Sequence, residues 1–278
     1  MRFEKWQALG NDYLIVESES LPWELTSTRV RRLCDRHTGV GADGVLELSR
    51  AREPGFVADL RIFNPDGSEA ELSGNGAREA ILYLRRSGWT SADTFSIRTR
   101  AGEIRPTITG PTTCRVDMGR ARLRSADFPS GADDGRGTVG SHAFQHVSIG
   151  NPQCAIRVES VDALEALDLL TLGPPIERSE LFPNRTNVSF WTELGNSEIR
   201  ARIFERGVGE TLSSGTGASG AAVAHVLRGG DSPVTVRLDG GTLEVDVDDA
   251  LHVDLSGWAL PVYAATLSDE LVRELRTD

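Results

Sequence analysis

Two serines head the same short string, Ser73-Gly74-Asn75-Gly76-Ala77 and Ser214-Gly215-Thr216-Gly217-Ala218. Apolar residues follow at helical spacing, most clearly at Ala77, Ala80, Ile81 and Leu84, so each serine marks a helix start. A helix N-terminus leaves backbone N–H groups unpaired and carries partial positive charge, which attracts a carboxylate or a phosphate. Glycines let such a ligand come close to the backbone. Two such corners facing one cleft would offer two anion nests and two hydroxyls. That arrangement can remove the α-proton of an amino acid on one side and supply it on the other. A lone serine before Gly-x-Gly is more often only an N-cap. A cap could equally be Thr, Asp or Asn, whereas here the whole string recurs; shared ancestry would also preserve it.

The strings lie 141 positions apart, and the same offset carries Arg61-Ile62-Phe63 onto Arg202-Ile203-Phe204 and Glu69 onto Glu210. From Arg61 to Leu84, nine of 24 aligned positions are identical. One position off that offset, Gly10-Asn11 recurs as Gly150-Asn151. A period this long describes two domain-sized halves rather than a solenoid, in agreement with a length of 278 residues. The expected division is 1–117 plus 264–278 against 118–263.

The elements that must position the corners follow from local signals. Strands are expected at Phe3–Gln7 and Tyr13–Glu17 around a Gly10-Asn11-Asp12 turn, and at Val45–Leu48, Asp59–Phe63, Thr94–Thr99, Glu103–Ile108 and Cys114–Met118. Thr26-Ser27-Thr28 caps a helix over Arg29–Arg36, and Gly88 closes the one opened by Ser73. Residues Ser125 to Ser141, rich in Gly, Asp and Pro, read as a surface loop. The second half repeats the plan, with strands at Ala143–Ile149, Cys154–Val158, Asn187–Trp191 and Glu198–Glu205, and a helix capped by Asp162 and running to about Leu170. The Ser214 helix, Ala218 to Leu227, and strands at Val234–Leu238, Leu243–Val247 and Leu251–Leu255 complete it, and Ser268 caps a tail helix, Asp269 to Arg276.

A net charge of −11 argues against nucleic-acid or anionic-membrane partners, and no apolar run is long enough for a membrane span. Met1-Arg2-Phe3-Glu4-Lys5 leads directly into patterned sequence without the apolar stretch of a secretory signal, so a cytoplasmic address is expected. Cys34, Cys114 and Cys154 are odd in number and widely separated, which indicates neither a disulfide framework nor a thiolate metal site. The histidines show no metal-binding spacing, so no metal is expected. Gly39-Val40-Gly41-Ala42-Asp43-Gly44 and Gly215-Thr216-Gly217-Ala218-Ser219-Gly220 both fit G-x-G-x-x-G, but neither has the strand–turn–helix context of a dinucleotide site.

The chain resembles the diaminopimelate epimerase family over essentially its whole length. The resemblance rests on Leu9-Gly10-Asn11-Asp12, the run from Asp35 to Gly44, that from Asn64 to Glu71, Gly150-Asn151-Pro152 and the run from Glu205 to Thr211, in this order. It implies an α+β fold of two pseudo-symmetric halves, each a curled sheet around a central helix. The site would lie in the cleft between them, with no cofactor, a small amino-acid substrate and a homodimeric assembly. It further implies that Asn11, Asn64, Asn151, Asn187 and Arg206 hold the distal end of the substrate, and that Gly74-Asn75 and Gly215-Thr216 take the reacting carboxylate. Glu205 would sit by the second base.

The family's two bases are cysteines, and this chain has Ser73 and Ser214 at those positions, with Gln153 where the family commonly has a histidine. A thiol at a helix N-terminus supplies a thiolate at neutral pH, whereas a serine hydroxyl needs an adjacent base. Glu205 could serve Ser214; the sequence offers no base for Ser73. Serine- or water-mediated proton transfer, a different chemistry, or an exchange introduced into the chain would each account for this. Glu79, where the family often has another cysteine, favours natural divergence. The expected function is therefore cofactor-independent epimerisation of LL- and meso-diaminopimelate, a step of lysine biosynthesis. The alternatives are a one-base isomerase or dehydratase acting through Glu205, or an amino-acid-binding homologue without turnover.

Overall fold

The computed structural model describes residues 1–277, and the chain divides into two compact units, Met1–Val116 with Trp258–Asp278, and Asp117–Gly257. In chain order the first unit contains β1 (Arg2–Ala8), β2 (Asn11–Glu17), α1 (Ser27–Cys34), β3 (Gly44–Arg50), β4 (Ala58–Phe63), β5 (Glu69–Ala70), α2 (Gly74–Arg86), β6 (Ile97–Thr99), β7 (Gly102–Ile104) and β8 (Pro106–Gly110). The strand β9 (Thr113–Arg120), hairpin partner of β8, carries the chain into the second unit. There follow β10 (Arg136–Val139), β11 (His142–Ser148), β12 (Pro152–Arg157), α3 (Val161–Glu165), α4 (Leu169–Glu177), β13 (Asn187–Gly195), β14 (Glu198–Glu205), β15 (Gly209–Thr211), α5 (Gly215–Val226), β16 (Val234–Leu238), β17 (Gly241–Val247) and β18 (His252–Trp258). The chain ends in β19 (Leu260–Thr266) and α6 (Asp269–Glu274).

The duplication in the sequence is a duplication of topology. In the first unit β1 pairs antiparallel with β2, β2 parallel with β3, β3 antiparallel with β4, β4 parallel with β6 and β6 antiparallel with β7. In the second unit the series β11, β12, β13, β14, β16, β17 repeats the same alternation. Each parallel pair requires a crossover. Helix α1 supplies the one between β2 and β3, α3 and α4 the one between β12 and β13, and α2 and α5 the two remaining. A short strand pairs beside each key helix, β5 on β4 and β15 on β14. The ion pairs Arg61–Glu69 at 3.1 Å and Arg202–Glu210 at 2.6 Å brace these two ribbons at duplicated positions.

Both key helices lie against their own sheets, and their composition shows why. Helix α5 touches β11, β12, β13, β14, β16 and β17, so strands pass around it on most sides. Its buried residues are mostly small, among them Gly217, Ala218, Ser219, Gly220, Ala221, Ala222 and Ala224, with the larger Val223 and His225 toward its end. A Cβ on Gly217 would lie 2.5 Å from Ile203 Cδ1 and 2.9 Å from its Cγ2, which favours glycine at the fourth position of that string. Helix α2 packs on β1, β2 and β3 through Ala77, Ala80, Ile81 and Leu84. A second apolar cluster in the first unit joins Phe3, Leu14, Val30 and Leu33 to Leu275 of the tail, and in the second unit α3 and α4 cover the sheet through Leu164, Leu169 and Ile176.

Several elements differ from expectation. The strand Thr94–Thr99 shortens to β6, and Glu103–Ile108 breaks into β7 and β8 because Pro106 has no N–H to continue the ladder. The region Ser125 to Ser141 contains β10, paired with β11, so it is not wholly loop. In place of one helix capped by Asp162 there are two, α3 capped by Ser160 and α4 capped by Asp168, the latter continuing through Pro174 and Pro175. The strand β19, absent from the periodicity reading, pairs antiparallel with β1 and closes the first sheet at that edge. Among the described residues no helix is long and apolar enough to cross a membrane.

Candidate functional site

In the first unit Ser73 caps α2 in an extended conformation, and its Oγ accepts the N–H of Gly76 at 3.1 Å. It accepts a second hydrogen bond, from the Tyr13 hydroxyl at 3.1 Å. Gly44, the register partner of Tyr13 on β3, makes this reach possible. A Cβ at Gly44 would sit 2.3 Å from the Phe63 carbonyl oxygen and 2.5 Å from the Tyr13 ring. Among the described residues no carboxylate is hydrogen-bonded to Ser73. Asn64, which the 141-residue offset makes the counterpart of Glu205, donates instead to Ser68 Oγ at 2.9 Å.

Behind this corner runs a polar network. Asn75 Nδ2 donates to Asn11 Oδ1 at 3.3 Å, and Asn11 Nδ2 donates to Asp43 Oδ2 at 3.1 Å. Arg36 bridges Asp12 and Asp43 at 2.8 Å each, and Lys5 stands 2.6 Å from Asp12. Burial pushes the Asp12 carboxyl up, but the Arg36 and Lys5 hydrogen bonds outweigh it and leave it below the ordinary value. Arg78 and Glu79 are both fully buried, and Arg78 donates to Asn75 Oδ1. Burial raises the Glu79 carboxyl well above the usual range despite the nearby Arg78 and the Tyr13 backbone N–H. Burial thus favours the neutral form of the acid at 79.

In the second unit the corner is built the same way and loaded differently. Ser214 caps α5, accepting from Gly217 N at 3.3 Å, and donates its own proton to Glu205 Oε2 at 3.0 Å. The other carboxylate oxygen accepts from Thr211 Oγ1 at 2.8 Å. Burial raises the Glu205 carboxyl, and the Thr211 and Ser214 hydroxyls pull it partly back. A carboxylate within hydrogen-bond reach of a serine, itself held by a third group, is the arrangement that activates a hydroxyl.

Asn151 Nδ2 donates to Thr216 Oγ1 at 3.2 Å, the duplicate of the Asn75–Asn11 contact, and Asn151 Oδ1 accepts from Gln153. Asn187 Oδ1 accepts the backbone N–H of Arg206 at 2.7 Å, and the Arg206 guanidinium donates to the Asn184 carbonyl at 2.8 Å. Of the site residues expected from sequence, Ser73, Asn11 and Asn75 thus converge in the first unit. Ser214 and Glu205 form one connected group in the second, Asn151 with Thr216 another, and Asn187 with Arg206 a third. Asn64 stands apart in its turn.

Sequence reasoning left out Tyr13 and Thr211. The offset that pairs Asn11 with Asn151 also pairs Tyr13 with Gln153, the signal that would have found the phenol. Among the described residues one trio, Asp117, His252 and Asp254, brings possible metal-ligand atoms within 4.8 Å of one another. Its His252 Nε2 lies 2.8 Å from Asp117 Oδ1, a contact that an ordinary ion pair explains. The two G-x-G-x-x-G strings fall between α1 and β3 and inside α5, neither following a strand into a helix as a pyrophosphate loop does.

The duplicated α+β fold is one found in racemases and phenazine-biosynthesis proteins. A probable proline racemase from Agrobacterium radiobacter K84 with bound carbonate aligns with a TM-score of 0.68 at 16% identity, over 96% of this chain and 93% of that one. A PhzF-family phenazine biosynthesis protein from Bacillus anthracis gives 0.68 at 19% identity, over 96% and 99%. Sequence narrows the assignment: the profile described as diaminopimelate epimerase matches residues 3–124 and 145–256. Diaminopimelate epimerase of Synechococcus sp. (strain JA-3-3Ab) is 40% identical, covering 97% of this chain and 99% of its own length. That of Desulforudis audaxviator (strain MP104C) is 43% identical over 95% and 98%. This chain belongs to the diaminopimelate epimerase family.

Proposed function

We propose that this protein is a cofactor-independent isomerase that interconverts LL- and meso-diaminopimelate by moving the α-proton. Ser73 and Ser214 stand where the family carries its two cysteine bases. The observation that carries the reading is the Ser214–Glu205–Thr211 group, in a chain about two-fifths identical to diaminopimelate epimerases over nearly its full length. Glu205 draws the Ser214 proton, so that Ser214 or a water beside it acts on the α-carbon. The Ser73 hydroxyl, oriented by Tyr13, is the second proton-transfer group. The N–H groups at Gly74-Asn75 and Gly215-Thr216 take the reacting carboxylate. Asn11, Asn64, Asn151 and Asn187 with Arg206 recognise the distal amino-acid end, Asn187 partly by holding the Arg206 backbone. The acidic chain has no nucleic-acid or membrane partner in this reading, and its assembly is the homodimer expected of the family, which light scattering measures.

One observation favours a second reading. Of the two corner serines, Ser214 is the one hydrogen-bonded to a carboxylate among the described residues, while Ser73 faces a phenol, an asymmetry suited to a one-base isomerase or dehydratase acting through Glu205. Incubation with LL-diaminopimelate in heavy water separates the two. The epimerase incorporates α-deuterium and forms the meso isomer, and the double variant Ser73→Cys/Ser214→Cys turns over faster than the parent. No deuterium in either protein would refute the reading. Exchange without inversion would transfer it to the one-base alternative.

A further inference from the structure

Glu177 takes no part in the chemistry above, yet it is an acidic side chain at the end of α4 with only 2% of its surface exposed. Its Oε1 accepts the backbone N–H of Gly207 at 2.9 Å. Arg178 and Arg185 each approach its carboxylate to 3.5 Å, and its backbone carbonyl accepts from Thr186 N at 3.2 Å. One residue therefore grips two segments. The first is the turn after β14, Glu205-Arg206-Gly207; the second is the stretch from Asn184 to Asn187 that holds Arg206 at both its backbone and its guanidinium.

Helix α4 also meets this turn from its other side. Four residues before Glu177, Gly173 lies flat on Phe204, where an added Cβ would come 2.4 Å from the ring. Phe204 and Gly207 bracket Glu205 and Arg206. The helix thus fixes both ends of the dipeptide that carries the candidate base and the candidate substrate arginine, while Arg206 itself is exposed. A buried carboxylate is costly to desolvate, so its retention here follows from its acceptors being used.

We propose that Glu177 is a positioning residue of the site: through the Gly207 N–H it sets where Glu205 and Arg206 stand. The inference rests on the functional reading above and deepens it. Three variants of the full chain test it. Glu177→Leu removes the acceptor, Glu177→Asp withdraws it by one methylene, and Glu177→Gln keeps an oxygen for Gly207. Amide hydrogen exchange at Gly207, read by NMR, reports the tether itself. KM and kcat for LL-diaminopimelate α-proton exchange report its consequence.

Glu177→Leu and Glu177→Asp are expected to speed Gly207 exchange at least about tenfold and raise KM about tenfold, with a smaller change in kcat. Glu177→Gln should restore KM to within about threefold of the parent, following the presence or absence of one buried hydrogen bond. A residue with a merely structural role would lower the melting temperature and leave KM alone. Folded Leu or Asp variants with parental KM, or with Gly207 still protected, would overturn the proposal. Should Glu177→Leu not fold, the Asp and Gln pair carries the same comparison. If the parent shows no exchange with diaminopimelate, the functional reading fails by itself, and Gly207 protection still decides whether the tether exists.

Discussion

Replacing Glu205 by glutamine tests the chemistry most directly, because its two oxygens are each committed to one hydroxyl, Thr211 at 2.8 Å and Ser214 at 3.0 Å. An amide has one acceptor oxygen and a donor NH2, so whichever way it turns, one hydroxyl loses its acceptor and meets a donor. Ser214 then has no base. A positioned general base contributes about 10²- to 10⁴-fold, so α-deuterium incorporation should slow by that factor, about 3 to 5.5 kcal/mol on the barrier.

Folding should not suffer in proportion, and here the sign matters. Burial raises the Glu205 carboxyl in the folded state, so folding favours its protonated form. That contribution is fully present below the unfolded carboxyl value and is lost as pH rises through the raised folded value. Ionising this buried carboxyl as pH rises costs the parent stability, and the glutamine variant has no such cost. The melting-temperature difference should move in favour of Glu205→Gln as pH rises above the ordinary carboxylate range. Mass spectrometry of the α-deuterated product measures the rate, and calorimetry the stability. A folded Glu205→Gln protein exchanging within about threefold of the parent would refute the role given to this carboxylate.

Tyr13→Phe removes the donor to Ser73 and should lower exchange by a factor of about 2 to 12, the range of one net hydrogen bond, while leaving the Ser214 group intact; unchanged kinetics would remove the phenol from the site. Gly220→Ala would gain helix propensity worth about 1 kcal/mol, yet its Cβ would meet Gln153 Cβ at 2.8 Å. Overpacking should win, with a net loss of about 1 to 3 kcal/mol in urea unfolding and weaker substrate binding through the displaced Gln153–Asn151 contact. Glu79 is buried with its carboxyl pushed up, so the parent should lose stability as pH rises from the ordinary carboxylate value through the raised one. Glu79→Gln, neutral throughout, should flatten that decline in thermal melts across the pH range; an unchanged slope would contradict the burial argument.

The two corners were legible in the chain because an N-cap serine, its glycines and the following apolar spacing are all local, each read within one helical turn. The repeat of these signals at one offset announced the duplicated topology, and the run from Glu205 to Thr211 marked where a base should stand. Element ends were less legible wherever a proline or an exposed edge broke the pattern, as at Pro106, in α4 and along β19.

Partners across the fold were another matter. Symmetry alone would set Asn64 beside Ser73, as Glu205 stands beside Ser214, but Asn64 turns to Ser68 and the hydroxyl of Tyr13 takes that place. Tyr13 is 60 residues from Ser73, and Glu177 is 30 from Gly207. Such contacts depend on strand register and on how closely helix and sheet approach, which many distant side chains set together. Local composition therefore determined that two helix starts carry the hydroxyls, and tertiary packing decided which groups stand within hydrogen-bonding distance of them.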